Sequence, residues 1–266
     1  LMAFYTYQDA YEYLEGVVKN HADYIGVFQN ATLGAKLGKG SEKDVYALVE
    51  HPNVVIGICT SEDVEAAIGR LKEEAMLLNE LMLKGIPVAE VIGIIEYKGK
   101  AAVLMARYAE GSKGTVTNDK KNFNTPVRVG NSAHLNAKSI EDLNVIMKKF
   151  QQKGVQIDDI QFLIEADGSV VVSDPLAVKE GPPTPNMLQM INRLIEAAAE
   201  NELSKLLQAY RRAFTEQELL DRVAELGVDP FLGKRVLKGL VTNYSTMFKW
   251  DSDTNTFRYS SFDEVD

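Results

Sequence analysis

The chain has 266 residues, 45% of them apolar and 25% charged, and a formal net charge of −9. That length suits one two-lobed domain with an appendage or two modest domains, and no apolar run is long enough to cross a bilayer. The acidic balance argues against nonspecific binding of nucleic acid, whose affinity comes mostly from neutralised phosphates. Cys59 is the one cysteine, so an internal disulfide is excluded, and His21, His51 and His134 lack the spacing of a zinc site. The mixed aromatic and acidic start differs from a secretory leader, and a cytoplasmic location is expected.

In chain order, apolar residues at helical spacing (Tyr11, Leu14, Val17, Val18, Tyr24) predict a helix over 7–28. Glycine-punctuated extended segments over 35–47 and the β-branched run Val54-Val55-Ile56 predict three strands. Ser61-Glu62-Asp63 opens a helix whose buried stripe is Val64, Ile68, Leu71, Ala75, Leu78 and Met82, ending at Lys84-Gly85. Residues 91–96 and 101–105 form an antiparallel hairpin around Tyr97-Lys98-Gly99-Lys100. Residues 109–136, rich in Gly, Thr, Asn and Lys, mark a long connection. Ser139 with Asp142 predicts a capping box for a helix stopped by Gly154. A hairpin of 162–164 with 170–172 follows, then a helix from the proline-rich stretch 181–185 to about Tyr210.

Three features occur in the order that a nucleotide-phosphate site needs. The first is the loop Leu37-Gly38-Lys39-Gly40-Ser41-Glu42-Lys43, whose glycines let backbone approach phosphates, although a bare GxG is more often a tight hairpin. The second is Glu73-Glu74 on the helix after the third strand, where one carboxylate can face inward and pair a lysine; in isolation the pair reads as a solvated helix face. The third is Asp158-Asp159-Ile160-Gln161 followed by a hairpin ending in Asp174-Pro175. Carboxylates at a strand end suit Mg²⁺, which takes a few carboxylate oxygens plus phosphate and water. An isolated Asp-Pro is usually a turn.

With those residues in place, 33–207 resembles the protein-kinase-like superfamily, including its aminoglycoside-phosphotransferase-type and minimal bacterial members. Lys72-Glu73-Glu74-Ala75-Met76-Leu77-Leu78, followed by Gly85-Ile86-Pro87-Val88, is similar to the αC helix and its approach to the fourth strand. The resemblance implies ATP and Mg²⁺ as cofactors, Met105 as gatekeeper, Ala106 to Tyr108 as the hinge meeting adenine, and Asp174 and Gln161 as metal ligands. Gly57 stands where the family's phosphate-gripping lysine belongs, and Lys43 occupies the third loop-glycine position, as in with-no-lysine kinases. Glu74 would orient it. The catalytic loop is shortened and lacks histidine, leaving Asp158 or Asp159 to accept the substrate proton.

The expected fold class is α+β: a two-lobed kinase-like fold with a five-stranded antiparallel N-lobe sheet, a reduced helical C-lobe and a C-terminal helix-helix-hairpin module. Its divisions are an N-terminal helical extension (1–32), the N-lobe (33–108), the connection and reduced C-lobe (109–210) and a module resembling a winged helix (211–266). In that module Thr215 to Glu218 reads as a capping box, and Lys234, Arg235 and Lys238 lie opposite Phe231, Val236 and Leu240. Nearby acids favour protein docking over DNA binding. Two functions follow: an ATP-dependent phosphotransferase acting on a protein or small-molecule hydroxyl, or a pseudokinase scaffold or regulator working through the C-terminal module. A DNA-binding regulator, resting on that module alone, is a third.

Overall fold

Strand alternation accounts for the first half of the molecule. In the computed structural model, which describes residues 28–107, 132–173, 175–210, 212–243 and 248–259, β1 (Leu33–Lys39), β2 (Lys43–Leu48), β3 (Val54–Cys59), β4 (Val91–Tyr97) and β5 (Lys100–Ala106) form one sheet in the order β1-β2-β3-β5-β4. Every neighbouring pair is antiparallel. Side chains on a strand point alternately to the two faces, so Ala101 and Val103 join Cys59, Ala67 and Leu71 under the helix α1 (Val64–Leu83). Ala102 and Leu104 face the other way, into a cluster with Phe28, Ala31, Leu48, Ile56, Ile95 and Tyr97. The Tyr97 hydroxyl donates to the Ala31 carbonyl at 2.7 Å, which satisfies the polar end of a buried ring. The helix expected over 7–28 lies outside the described residues except at its last position.

Local chemistry sets the ends of α1. Asp63 accepts from the Ala66 amide at the start, and Gly85, at φ +80°, ends the last turn with Ile86 donating back to Leu81. The chain then passes under β8 (Val170–Ser173). Val172 donates to Pro87 and accepts from Ala89, each at 2.9 Å, so the segment after α1 is tied to β8 by backbone, while Leu81 of α1 shares an apolar cluster with Val170 and Val172.

The second half carries the larger core. Helix α2 (Ala137–Lys153) has a capping box, but one turn earlier than expected: Asn136 is the N-cap and Ser139 its third residue. Asp142 is not part of it and instead accepts from the Val170 amide at 3.0 Å. The reason is the left-handed turn at Gly168, against which the Asn136 side chain packs and whose carbonyl receives the Ser139 hydroxyl. After α2 come β6 (Val155–Asp158), β7 (Gln161–Ile164), β8 and β9 (Ala177–Glu180), paired as two ribbons, β6 with β9 and β7 with β8. Residues 174–176 alone link β8 to β9.

Helix α3 (Pro185–Ala209) starts with Thr184 as its cap and runs through the middle of this core. Behind it follow β10 (Phe214–Thr215), α4 (Glu216–Glu225), α5 (Pro230–Asn243), β11 (Phe248–Asp251) and β12 (Thr256–Tyr259), the three strands in the order β10-β12-β11. Thr215 and Glu218 form a capping box at α4. One apolar cluster contains Ile146 and Phe150 of α2, Leu194 and Leu203 of α3, Val236 of α5 and Phe257 of β12. No helix among the described residues is long and apolar enough to cross a membrane. Their architecture is mixed α+β, with a five-stranded antiparallel sheet and five α-helices.

Candidate functional site

Strand register brings the first candidate residues together. Lys43 pairs with Cys59 and Val45 with Gly57, so all four belong to the sheet face that α1 covers, and Val103 lies opposite Gly57 on the next strand. Glu74 follows Leu71, which packs on that face, by one helical turn. The Lys43 ammonium reaches both Glu74 oxygens, at 3.0 and 2.9 Å. Its stem runs over Gly57, where an added Cβ would lie 3.3 Å from the lysine Cδ and 3.1 Å from a Val103 methyl. The glycine is therefore the space the lysine crosses. Glu73, the other acid of the pair, is exposed. Burial pushes the Cys59 thiol up from its ordinary value, with the nearby Lys43 charge opposing.

Gly38 lies opposite Val45 just after an irregularity in β1, and Gly40 and Ser41 lie in the exposed turn to β2, where the Gly40 amide donates to the Lys43 carbonyl at 2.9 Å. Met105 and Ala106 lie at the end of β5, half-buried. The hinge expectation changes here in one respect. The Ala106 amide donates to Glu90 at 3.1 Å and the Arg107 amide to Asn53 at 2.8 Å, so neither donor is left for a base. Tyr108, the third hinge residue, lies outside the described residues, as does Asp174.

The two aspartates separate clearly. Asp158 closes β6, and its carboxylate is held by Lys179 of β9 at 2.9 Å. Asp159 occupies the turn to β7 at φ +55°, a left-handed conformation that few non-glycine residues adopt and that clusters at functional turns. Gln161 opens β7 directly opposite Ser173, the residue before Asp174. Gln156, the residue reached by counting back along a full-length catalytic loop, instead donates to the Pro182 carbonyl at 2.8 Å. Lys179 was not foreseen. The signal was the alternation Val155-Gln156-Ile157-Asp158, which marks a strand needing a partner, and Ala177-Val178-Lys179-Glu180 supplies it.

A five-stranded antiparallel sheet with one helix laid across it, tied by a lysine–glutamate pair, is the arrangement of kinase-like phosphotransferases. Comparison with known proteins agrees. Residues 7–202 match the type III secretion system effector HopBF1 kinase domain, and the chain belongs to that family. It is 25% identical over 176 residues to the type III effector protein HopBF1 of Pseudomonas syringae pv. syringae (strain FF5), across 65% of this chain and 83% of that relative. The chain is a kinase, a phosphotransferase, and family membership implies ATP as its donor. The scaffold reading gives way to the enzyme. The family match ends within α3, so β10 to β12 lie beyond it.

Proposed function

We propose that the chain is an ATP-dependent kinase of two-lobed form in which Lys43, reaching across from β2, takes the place of the usual third-strand lysine. The observation that carries this is the Lys43–Glu74 pair lying over Gly57. Both ends of that pair are partly screened from water, which strengthens a charge-assisted contact and holds the ammonium in one place for a phosphate. Glu74 orients the lysine, and Gly38, Gly40 and Ser41 offer backbone to the phosphates.

The residue types suit Mg²⁺: Gln161 opens β7 opposite Ser173, and Asp174 is the next residue in the sequence, so an amide oxygen and a carboxylate are available to the ion. When bound, the ion offsets charge on the transferring phosphoryl group. Of the two aspartates we assign the proton-accepting role to Asp159. Asp158 already has Lys179 as its counter-ion, whereas Asp159 has no ion pair among the described residues. Asp158 then holds β9 against β6 and fixes the turn that presents its neighbour.

The acceptor is a hydroxyl group, and membership of a type III effector family supports action after export, not the cytoplasmic residence that the sequence suggests. Beyond Tyr210 the order strand, helix, helix, hairpin supports a winged-helix-like module used for protein docking.

A thermal-shift titration with ATP, with and without Mg²⁺, tests the site. A Mg²⁺-dependent rise in melting temperature that disappears in Lys43→Ala and Asp174→Ala is expected. An undiminished rise in Lys43→Ala would refute the lysine assignment.

A further inference from the structure

Helix α5 contains no acidic residue in a chain with a net charge of −9. Leu232, Val236, Leu237 and Leu240 point into the large core. The opposite side exposes Lys234, Arg235, Lys238 and Thr242 together with Phe231, which is 76% exposed and so shares the basic face instead of lying opposite it with Val236 and Leu240 as the sequence suggests. Among these cations Arg235 is committed: its Nε lies 2.9 Å from Glu196, a buried carboxylate of α3 that Arg193 also pairs. Neither Lys234 nor Lys238 has an ion-pair partner among the described residues. Gly239 allows α5 to lie so close to α3 that a Cβ there would collide with the Glu200 carboxylate. The helix is thus fixed to the kinase core by its back, while a phenylalanine and two uncompensated lysines line its front. Positions 231 to 242 cover about 16 Å at 1.5 Å per residue.

We propose that this face of α5 is a docking surface for an acidic protein segment carrying an apolar side chain, the apolar group resting on Phe231 and the carboxylates pairing with Lys234 and Lys238. A rigid face loses little freedom on binding, and complementary charge speeds and orients encounter. A nucleic-acid duplex fits less well. The hairpin that follows α5 carries Asp251 and Asp253 at its turn, where phosphates would meet like charge. The proposal rests on reading the C-terminal module as a docking element, and its test is separable from that of the nucleotide site.

The test is fluorescence anisotropy of the full chain with a labelled synthetic peptide of roughly 12 residues alternating glutamate pairs with leucine, beside its lysine-for-glutamate counterpart and a labelled duplex of about 20 base pairs. The acidic peptide should bind. Lys234→Glu with Lys238→Glu should weaken it by about tenfold or more, and Phe231→Ala by a few-fold, while the basic peptide does not bind. The ATP-induced thermal shift should be unchanged in these variants, which shows that they are folded; if it is lost, Lys234→Gln with Lys238→Gln replaces the charge reversal. No binding of the acidic peptide, equal binding by parent and variants, or tighter binding of the duplex would each overturn the proposal.

Discussion

The ionic contacts at Glu74 and at Glu196 each tie a helix to another element, and they are built in opposite ways. In the sheet, Lys43 and Glu74 are one cation and one anion, with side chains 15% and 21% exposed. In the second half, Glu196 is 6% exposed while its two arginine partners, Arg193 and Arg235, are 39% and 44% exposed. A lysine–carboxylate contact with both ends partly open to water can exchange part of itself for a phosphate oxygen without leaving a charge stranded. A carboxylate held by two guanidinium groups cannot be released without a large desolvation cost. The first arrangement suits a site that takes a ligand, and the second suits a joint between α3 and α5.

That contrast can be broken by substitution. The largest effect is expected at the ligand site: Lys43→Ala and Asp174→Ala should each lower phosphoryl transfer by about 10²- to 10³-fold, as loss of a group aligned with transition-state charge does. The melting temperature of the ligand-free protein should change little in Lys43→Ala, since the remaining Glu74 is partly solvated; transfer of labelled phosphate and calorimetry together check this. Next is Gly57→Ala, where the new methyl displaces the lysine stem and Val103. A cost of about 1–2 kcal/mol is expected, read as a weaker ATP-induced shift. Moving the lysine, with Lys43→Gly and Gly57→Lys combined, should restore more ATP binding than Lys43→Ala retains. If it restores none, access from β2 is itself required.

At the joint the expectation reverses. Arg235→Ala should lower stability by about 1–2 kcal/mol, because Arg193 still neutralises Glu196, and should leave the ATP shift intact. A lost ATP shift with unchanged stability would put the joint in the nucleotide site. The smallest effect concerns a carboxylate that is neither. Glu50 is held below the usual glutamate range first by the Thr32 hydroxyl and then by the Thr32 amide. A lowered folded-state value means that its contribution is present above the unfolded-state value and is lost as pH falls through the folded one. Thr32→Val should therefore raise the Glu50 titration midpoint, measured by NMR.

Much of the sheet was legible because the glycine-punctuated stretch 35–47, the β-branched run 54–56 and the apolar runs 91–96 and 101–105 are short, extended segments separated by turn residues. The meeting of Lys43 and Glu74 followed from the same register, read through the kinase resemblance. The β6–β9 ribbon was harder to read: Val155 to Asp158 alternate, but they lead into residues that resemble a catalytic loop, and the partner strand lies some twenty residues later in the sequence, after Asp174-Pro175. The spacing of Ser139 and Asp142 alone puts the cap of α2 one turn late, and only the packing of Asn136 against the Gly168 turn selects the earlier start. No local pattern announces that Ala106 and Arg107 have already committed their amides, since both acceptors, Glu90 and Asn53, come from other strand ends.

The lysine over Gly57 has a consequence for how such enzymes are found. Residues on neighbouring strands share one sheet face, so the charge that meets Glu74 can move from β3 to β2 with little displacement of its ammonium. A search that demands a lysine at a fixed place in the third strand would score this chain as inert, whereas one asking whether any lysine on that face reaches the helix glutamate would retain it. The heritable unit, in that view, is a charge at a point in space, and its address in the sequence is free to drift.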